Sequence, residues 1–227
     1  QNGVYPETID QLFTNLDMQE AIKNNRWIDW IDEVTKGNAT KDNISLSISG
    51  GNEKAKVYSS ITYDSQNGLL PDENQKRYGL RLNADFQINK MVKVGLSSSL
   101  TYTIRNNRGK NIFTKAISAE PLGEVYDEFG NLNEYVYPGS ASILGDFMKN
   151  QYADQTRSTY INSNGYVEIK PIDGLTFRSQ IATTLSDSRN GRYVGSKSLQ
   201  NVETGYNTPY ANIMNNYGYG YSWENVL

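Results

Sequence analysis

The 227-residue chain contains no cysteine and no histidine. Without cysteine it can build no disulfide framework, no thiolate nucleophile and no Cys-ligated zinc site. Without histidine it also loses the Ser-His-Asp and Cys-His arrangements, imidazole metal ligation and imidazole acid–base catalysis. No run of about eighteen apolar residues offers a membrane-spanning helix. The opening decapeptide QNGVYPETID lacks the charged start, apolar core and small-residue cleavage site of a secretory signal. Lysine and arginine are nowhere clustered, and the formal charge of −3 removes the basic footprint that nucleic acid needs. Only carboxylate or Lys/Tyr chemistry is left, and no catalytic residue, cofactor or metal is expected.

What is abundant is tyrosine, with 17 residues, and a period-two alternation of unlike side chains. In ISLSISGG, Ile44, Leu46 and Ile48 take one face while Ser45, Ser47 and Ser49 take the other. A soluble sandwich places Lys, Glu and Thr on its wet side, and a buried parallel strand is apolar on both faces, so neither fits a face of small hydroxyls. The pattern is clearest at 76–88, where Tyr78, Leu80, Leu82, Ala84, Phe86 and Ile88 alternate with Gly79, Arg81, Asn83, Asp85 and Gln87. At 92–104 Val92, Val94, Leu96, Leu100 and Tyr102 oppose Lys93, Ser97, Ser99 and Thr101.

Runs of this length exceed the usual five or six residues of soluble strands and match the roughly nine to eleven needed to cross a bilayer obliquely. Further strands are predicted at 42–50, 54–64, 156–170 and 174–189, with Leu175, Phe177, Ile181 and Leu185 outward on the last. A final strand at 212–227 carries Tyr217, Tyr219, Tyr221 and Trp223 on one face. The predicted connections alternate between short (51–54, 89–91, 171–173) and long (64–75, 105–155, 190–209), the asymmetry of an outer-membrane barrel with its wet, polar lumen and aromatic girdles. The expected fold is therefore all-β: about seven strands of an antiparallel transmembrane β-barrel with long outer loops. Seven is odd, whereas bacterial single-chain barrels use even numbers, so the chain is expected to be part of a larger barrel. Before the strands, residues 8–24 space Ile9, Leu12, Phe13 and Leu16 as one short amphipathic helix, with Thr8 and Gln11 as a capping box. The expected division is an outer loop with this helix at 1–41 and barrel strands with extracellular loops at 42–227.

Several blocks of the sequence carry a family resemblance. WIDEVTKGNATKDNISLSISGGNEKAKVYSSITY (30–63) resembles the barrel of SusC/RagA-type TonB-dependent transporters. There a W-x-D/E-x-V segment leads to a strand ending S-x-S-G-G-x-x-K-x-K-Y; here Val57 stands before the aromatic Tyr58. KRYGLRLNADFQINKMVKVGLSSSLTY (76–102), PLGEVYDEFGNL (121–132) and GYVEIKPIDGLTFRSQ (165–180) are similar in the same order. The resemblance implies a barrel of about 22 strands plugged by a separate domain, set in the bacterial outer membrane among its lipids. It also implies a SusD-like surface lipoprotein as lid, energy delivered by the TonB complex through the plug, and an oligosaccharide or peptide as ligand.

Within that frame, Trp27, Trp30, Tyr126, Tyr135 and Tyr137 fall in predicted outer loops, where their rings either stack on ligand, meet the lid, or pack the loops themselves. Arg81, Asp85 and Arg178 fall on lumen faces, to pair across strands or line the transport path. YDEFGNLNEY places Asp127, Glu128, Asn131 and Glu134 close together, but Gly130 stands at the fourth position rather than the sixth of a calcium loop, so DEFGN reads as a hairpin turn. Asp29 and Asp32 read as solvated loop residues rather than a glycosidase pair. Two other expectations compete with import: a soluble carbohydrate-binding or carbohydrate-cleaving β module, and a passive porin or adhesin barrel.

Overall fold

The computed structural model describes residues 15–35, 37–109 and 111–227. Its main feature is a single antiparallel sheet. In chain order the strands are β1 (Thr40–Gly51), β2 (Ala55–Asn67), β3 (Asn74–Gln87) and β4 (Val92–Asn106), then a small separate hairpin of β5 (Tyr135–Tyr137) and β6 (Ser140–Ala141), then β7 (Tyr152–Ile172), β8 (Leu175–Val194) and β9 (Tyr210–Val226). The seven long strands pair in the order β1-β2-β3-β4-β7-β8-β9, so each joins its predecessor in the wall with no crossover.

The short turns are set by side chains. Asn52 Oδ1 accepts the amides of Lys54 and Ala55 between β1 and β2, and Asn89 Oδ1 accepts those of Met91 and Val92 between β3 and β4. These are Asx turns, in which a side-chain carbonyl replaces a backbone acceptor. Between β7 and β8, Gly174 takes φ +86, the left-handed region that a residue without Cβ enters at no cost. All three turns lie at one end. The connections at 68–73, 107–151 and 195–209 lie at the other.

The register fixes two faces. Outward, Leu46 pairs with Ile61, Ile61 with Leu80, Leu80 with Leu100, Leu100 with Ile161 and Ile161 with Leu185, one aliphatic row across six strands. Towards the long-loop end the next row contains Tyr63, Tyr78 and Tyr102, whose ring centroids are 5.2 and 6.3 Å apart in succession. Two rows further out, polar side chains bond to one another: Asn67 to Thr40, Asn106 to Asn74 and Gln155 to Asn106, at 2.8–2.9 Å. On the aliphatic face the hydroxyls of Ser98 and Ser163 satisfy each other at 2.7 Å, as an environment without water favours.

The strands are longer than the alternation alone suggests. Positions 64–67 and 74–77 continue the β2–β3 ladder through Asp64↔Arg77, Ser65↔Lys76, Gln66↔Gln75 and Asn67↔Asn74, which shortens the expected 64–75 loop to six residues. β7 and β8 likewise extend to Tyr152 and Val194. The β2–β3 extension is polar on both faces, so periodicity of hydrophobicity cannot reveal it.

The dry core lies in the cap at the long-loop end. Four short helices contribute: α1 (Leu16–Lys23), α2 (Trp30–Val34), α3 (Ile112–Ser118) and α4 (Leu199–Thr204), with a 3₁₀ turn at Gly145–Phe147. Trp30, Val34, Leu70, Ile112, Ala116, Val136, Leu144 and Leu199 pack into one cluster. Where one helix is expected there are four among the described residues, because elements of five to eight residues are too short to display a helical period. For the expected 8–24 helix, α1 begins at Leu16 with Asn15 as N-cap accepting the Asp17 amide; Thr8, Ile9, Gln11, Leu12 and Phe13 lie outside the described residues. No helix among the described residues is long and apolar enough to cross a membrane.

Candidate functional site

Two regions carry functional promise: the polar face of the wall and the outer surface of the cap. On the polar face, Ser45↔Thr62, Ser47↔Ser60 and Ser49↔Tyr58 form a ladder of hydroxyls. Its neighbours on β3, β4 and β7 include Asn83, Arg81, Ser97, Ser99, Asn162 and Asn164. Small uncharged donors and acceptors offer hydrogen bonds to a passing polar solute without holding it as a fixed charge would.

Near the short-turn end this face carries a charged cluster. Asp85, Gly95 and Tyr166 are successive register partners on β3, β4 and β7. A Cβ on Gly95 would stand 2.2 Å from Tyr166 Cε1 and 2.5 Å from Asp85 Oδ1, so glycine is what lets the ring lie flat across β4. Across that gap Tyr166 OH donates to Asp85 Oδ1 at 2.6 Å, joining strands that do not touch through their backbones. The Arg178 guanidinium stacks on the other side of the ring, 3.9 Å from its centroid, and pairs with Glu168 at 3.9 Å. Lys93 reaches Asp85 at 3.5 Å and lies 5.6 Å from the same ring. Asp85 and Arg178 thus belong to one constellation around Tyr166, bordering a hollow of about 1160 Å³ that opens on the polar face and is also lined by Ser49, Lys56, Tyr58 and Asn164. Arg81 stands apart, in a smaller hollow of about 250 Å³ with Asn83, Ser97, Ser99 and Asn162, and forms no ion pair among the described residues.

Sequence reasoning found the two charges but not their hub. The available signal was Gly95 inside a strand, which marks a close approach. Its partner Tyr166 emerges only once β4 and β7 are in register across a 45-residue connection at 107–151.

In the cap the aromatic candidates separate. Trp30 is 3 % exposed, and its indole N–H donates to the Glu120 carbonyl at 2.9 Å, so it is a core residue with no surface for a ligand. Trp27 bridges to Leu122 through its backbone and keeps half its surface exposed. Tyr126 is exposed and donates to Glu33 Oε2 at 2.8 Å, a bond to a carboxylate that raises its phenol above the usual range. Tyr135 is exposed, while Tyr137 is half-buried with its hydroxyl on Glu120; burial first and that carboxylate second push its phenol up. Tyr135 and Tyr137 share a shallow hollow with Glu124, Asn133 and Pro138.

The DEFGN segment is a tight hairpin turn. Asp127 Oδ1 accepts the amides of Phe129 and Asn131 at 2.9 and 2.7 Å, Asn131 Nδ2 donates to Asp127 Oδ2 at 3.0 Å, and Gly130 takes φ +80. Those donors, Asn131 foremost, hold the Asp127 carboxyl below the usual range. Beneath the cap surface Arg108 ties the 68–73 and 107–151 connections together, donating to the Pro71 and Asp146 carbonyls at 2.7 and 3.1 Å and pairing with Asp72. Asp146 accepts the Leu199 amide at 3.1 Å; its burial pushes the carboxyl up, against the pull of that amide, Arg108, Arg192 and Lys115.

Comparison with known proteins follows the same division. No family model matches the chain. Two TonB-dependent receptors of Formosa agariphila are 26 % identical over 181 residues and 27 % identical over 175, covering 77 % and 73 % of this chain. The chain spans 17 % of the length of each of these relatives. Among solved structures, the RagAB peptide importer in its closed-closed state matches with a TM-score of 0.63 at 26 % identity, over 75 % of this chain and 20 % of that one. A second structure, of the RagAB peptide transporter, matches with the same TM-score at 25 % identity. The proteins so named are receptors and transporters, not enzymes. A lipid-facing aliphatic wall, a polar inner face and loops gathered at one end agree with these likenesses: the chain has the fold of a section of an antiparallel outer-membrane β-barrel and is similar, over about three quarters of its length, to SusC/RagA-type TonB-dependent receptors.

Proposed function

We propose that the chain forms part of the wall and roof of an active importer that takes a polar oligomer across the bacterial outer membrane. The observation that carries this reading is the pairing of a polar face, rich in hydroxyls and amides, with a cap that has its own packed core. A passive pore needs the former but gains nothing from a rigid roof over its mouth. The remaining strands of a closed barrel would continue from β1 and β9, because an unpaired strand edge is not tolerated in hydrocarbon. A plug outside this chain would link the barrel to the TonB complex, and a SusD-like surface lipoprotein would close over the cap.

An oligosaccharide is the favoured cargo. Serine, threonine and asparagine match its many hydroxyls, and exposed Tyr126, Tyr135 and Trp27 offer rings for sugar stacking at the entrance. Residues 1–41 would then act as outer loop and 42–227 as barrel. A peptide is the second reading, supported by the RagAB importer among the structural neighbours; for a peptide, the Asp85–Lys93–Arg178–Glu168 cluster would supply alternating charge along the path. The test is uptake of labelled oligosaccharides and of labelled peptides by cells producing the complete protein, with and without an uncoupler of the proton gradient. Uptake that persists unchanged in the uncoupled cells would rule out active import.

A further inference from the structure

The outward face carries a cationic feature that import does not explain. Arg157 on β7 and Arg189 on β8 are direct register partners. Both share the face of Ile161 and Leu185, each lying two outward positions beyond the aliphatic row. In the same row, across Ile104, stands Lys76 on β3. Like charges placed directly opposite destabilise a strand pair, yet none of these three cations forms an ion pair among the described residues. The one nearby carboxylate on this face, Asp187, pairs in register with Thr159 and Tyr217 and leaves the arginine pair with net positive charge.

The geometry of Arg157 points the same way. Its Nε donates to Gln155 Oε1 at 2.8 Å, which anchors the stem in the row of bonded amides, while its two terminal nitrogens have no acceptor among the described residues. Height is set by the strand: four residues beyond Ile161 is about 13 Å along the chain, or about 10 Å above the aliphatic row for a strand tilted by about 40°. The intervening row carries the tyrosine girdle, whose place is the boundary between hydrocarbon and headgroups. The arginine pair therefore sits at headgroup level, facing lipid rather than lumen.

We propose that Arg157 and Arg189, with Lys76 at the flank, bind the phosphate groups of an anionic outer-leaflet lipid. Guanidinium forks match phosphate oxygens bidentately, and a bridging phosphate turns the repulsive register pair into a clamp. This rests on the membrane placement of the wall. Nothing in it depends on what the lumen carries.

The test uses the complete protein, extracted from outer membranes and placed in phosphatidylcholine nanodiscs with or without diphosphorylated lipid A. Native mass spectrometry counts retained lipid for the wild type, for Arg157→Gln/Arg189→Gln, and for Arg157→Lys/Arg189→Lys as a charge-preserving control. Heat-modifiable gel mobility checks that each barrel is closed. At about 1 kcal/mol for each basic residue near anionic lipid, the glutamine pair is expected to bind lipid A about 30-fold more weakly, with the lysine pair close to wild type. Equal retention by wild type and the glutamine pair would overturn the proposal. Full displacement of lipid A by millimolar inorganic phosphate would overturn the lipid assignment in favour of a free-anion site. Recovery of the wild type in the aqueous fraction without detergent would instead overturn the membrane placement beneath it.

Discussion

Along the outward face of the wall large aliphatic side chains stand exposed, and in the core of the cap they are buried: Leu46 and Ile48 stand at 72 and 73 %, Leu144 and Val34 at 2 and 0 %. The two regions obey one rule in two solvents. Wall strands satisfy their backbone within the ladder and turn their apolar face to hydrocarbon, which requires no packing partner from the protein. Cap helices are too short to persist alone and are held by burying a shared face from water. Substitutions should therefore sort by region before they sort by size.

The largest effect is expected in the cap. Trp30→Ala removes a buried ring and the indole bond to Glu120, at a cost of about 3–5 kcal/mol, yet the loss should stop at the cap. Hydrogen exchange should accelerate across 107–151 while the β2–β4 amides keep their protection. Equal acceleration in the wall would break the distinction between the regions.

Next comes a charge on the lipid face. Leu96→Arg, in the middle of β4, should weaken refolding into lipid vesicles by about 2–4 kcal/mol. Ser99→Arg, on the opposite face of the same strand, should change it by about 0.5 kcal/mol or less. Denaturant titration in vesicles compares the two, and similar costs would mean that the faces are misassigned. Gly95→Ala drives a methyl group into the Tyr166 ring and should cost about 1–3 kcal/mol. Tyr166→Phe keeps the ring but loses the bond to Asp85, at about 1 kcal/mol. A costless Gly95→Ala would show that the ring does not lie across β4.

The smallest effect is a pH response confined to the cap. Because burial raises the Asp146 carboxyl, the folded cap holds that proton more tightly than the unfolded loops do. Protection of the Leu199 amide should increase as pH falls from neutral through the raised value and level off below about 3.8, the ordinary carboxyl value. Asp146→Asn should lack this response. Protection in the wild type that falls over the same range would reverse the sign assigned to Asp146.

The sequence exposes the wall far better than the cap, for a physical reason. A strand between lipid and water alternates at every residue, so Tyr78 to Phe86 announce both the strand and its faces. Cap residues are chosen for contacts that are distant in the chain. Trp30 meets Glu120, and Leu199 meets Asp146, without any period to reveal it. That is why Trp30 reads as an outer-loop aromatic in sequence and proves to be core. Tyr166 is hidden likewise, since its role depends on Gly95 in the neighbouring strand β4 and on Asp85 one strand further, in β3.

The shared cluster of Trp30, Leu70, Ile112 and Leu199 also sets an order of events. Its members come from before β1, between β2 and β3, after β4 and after β8. No subset of neighbouring segments contains it, and contacts of such high sequence separation form slowly. The cap cannot close until six of the seven wall strands, β1–β4, β7 and β8, have been placed. Its closure is therefore a late checkpoint of assembly, at which a wall with a missing or slipped strand would be left open to solvent and proteases.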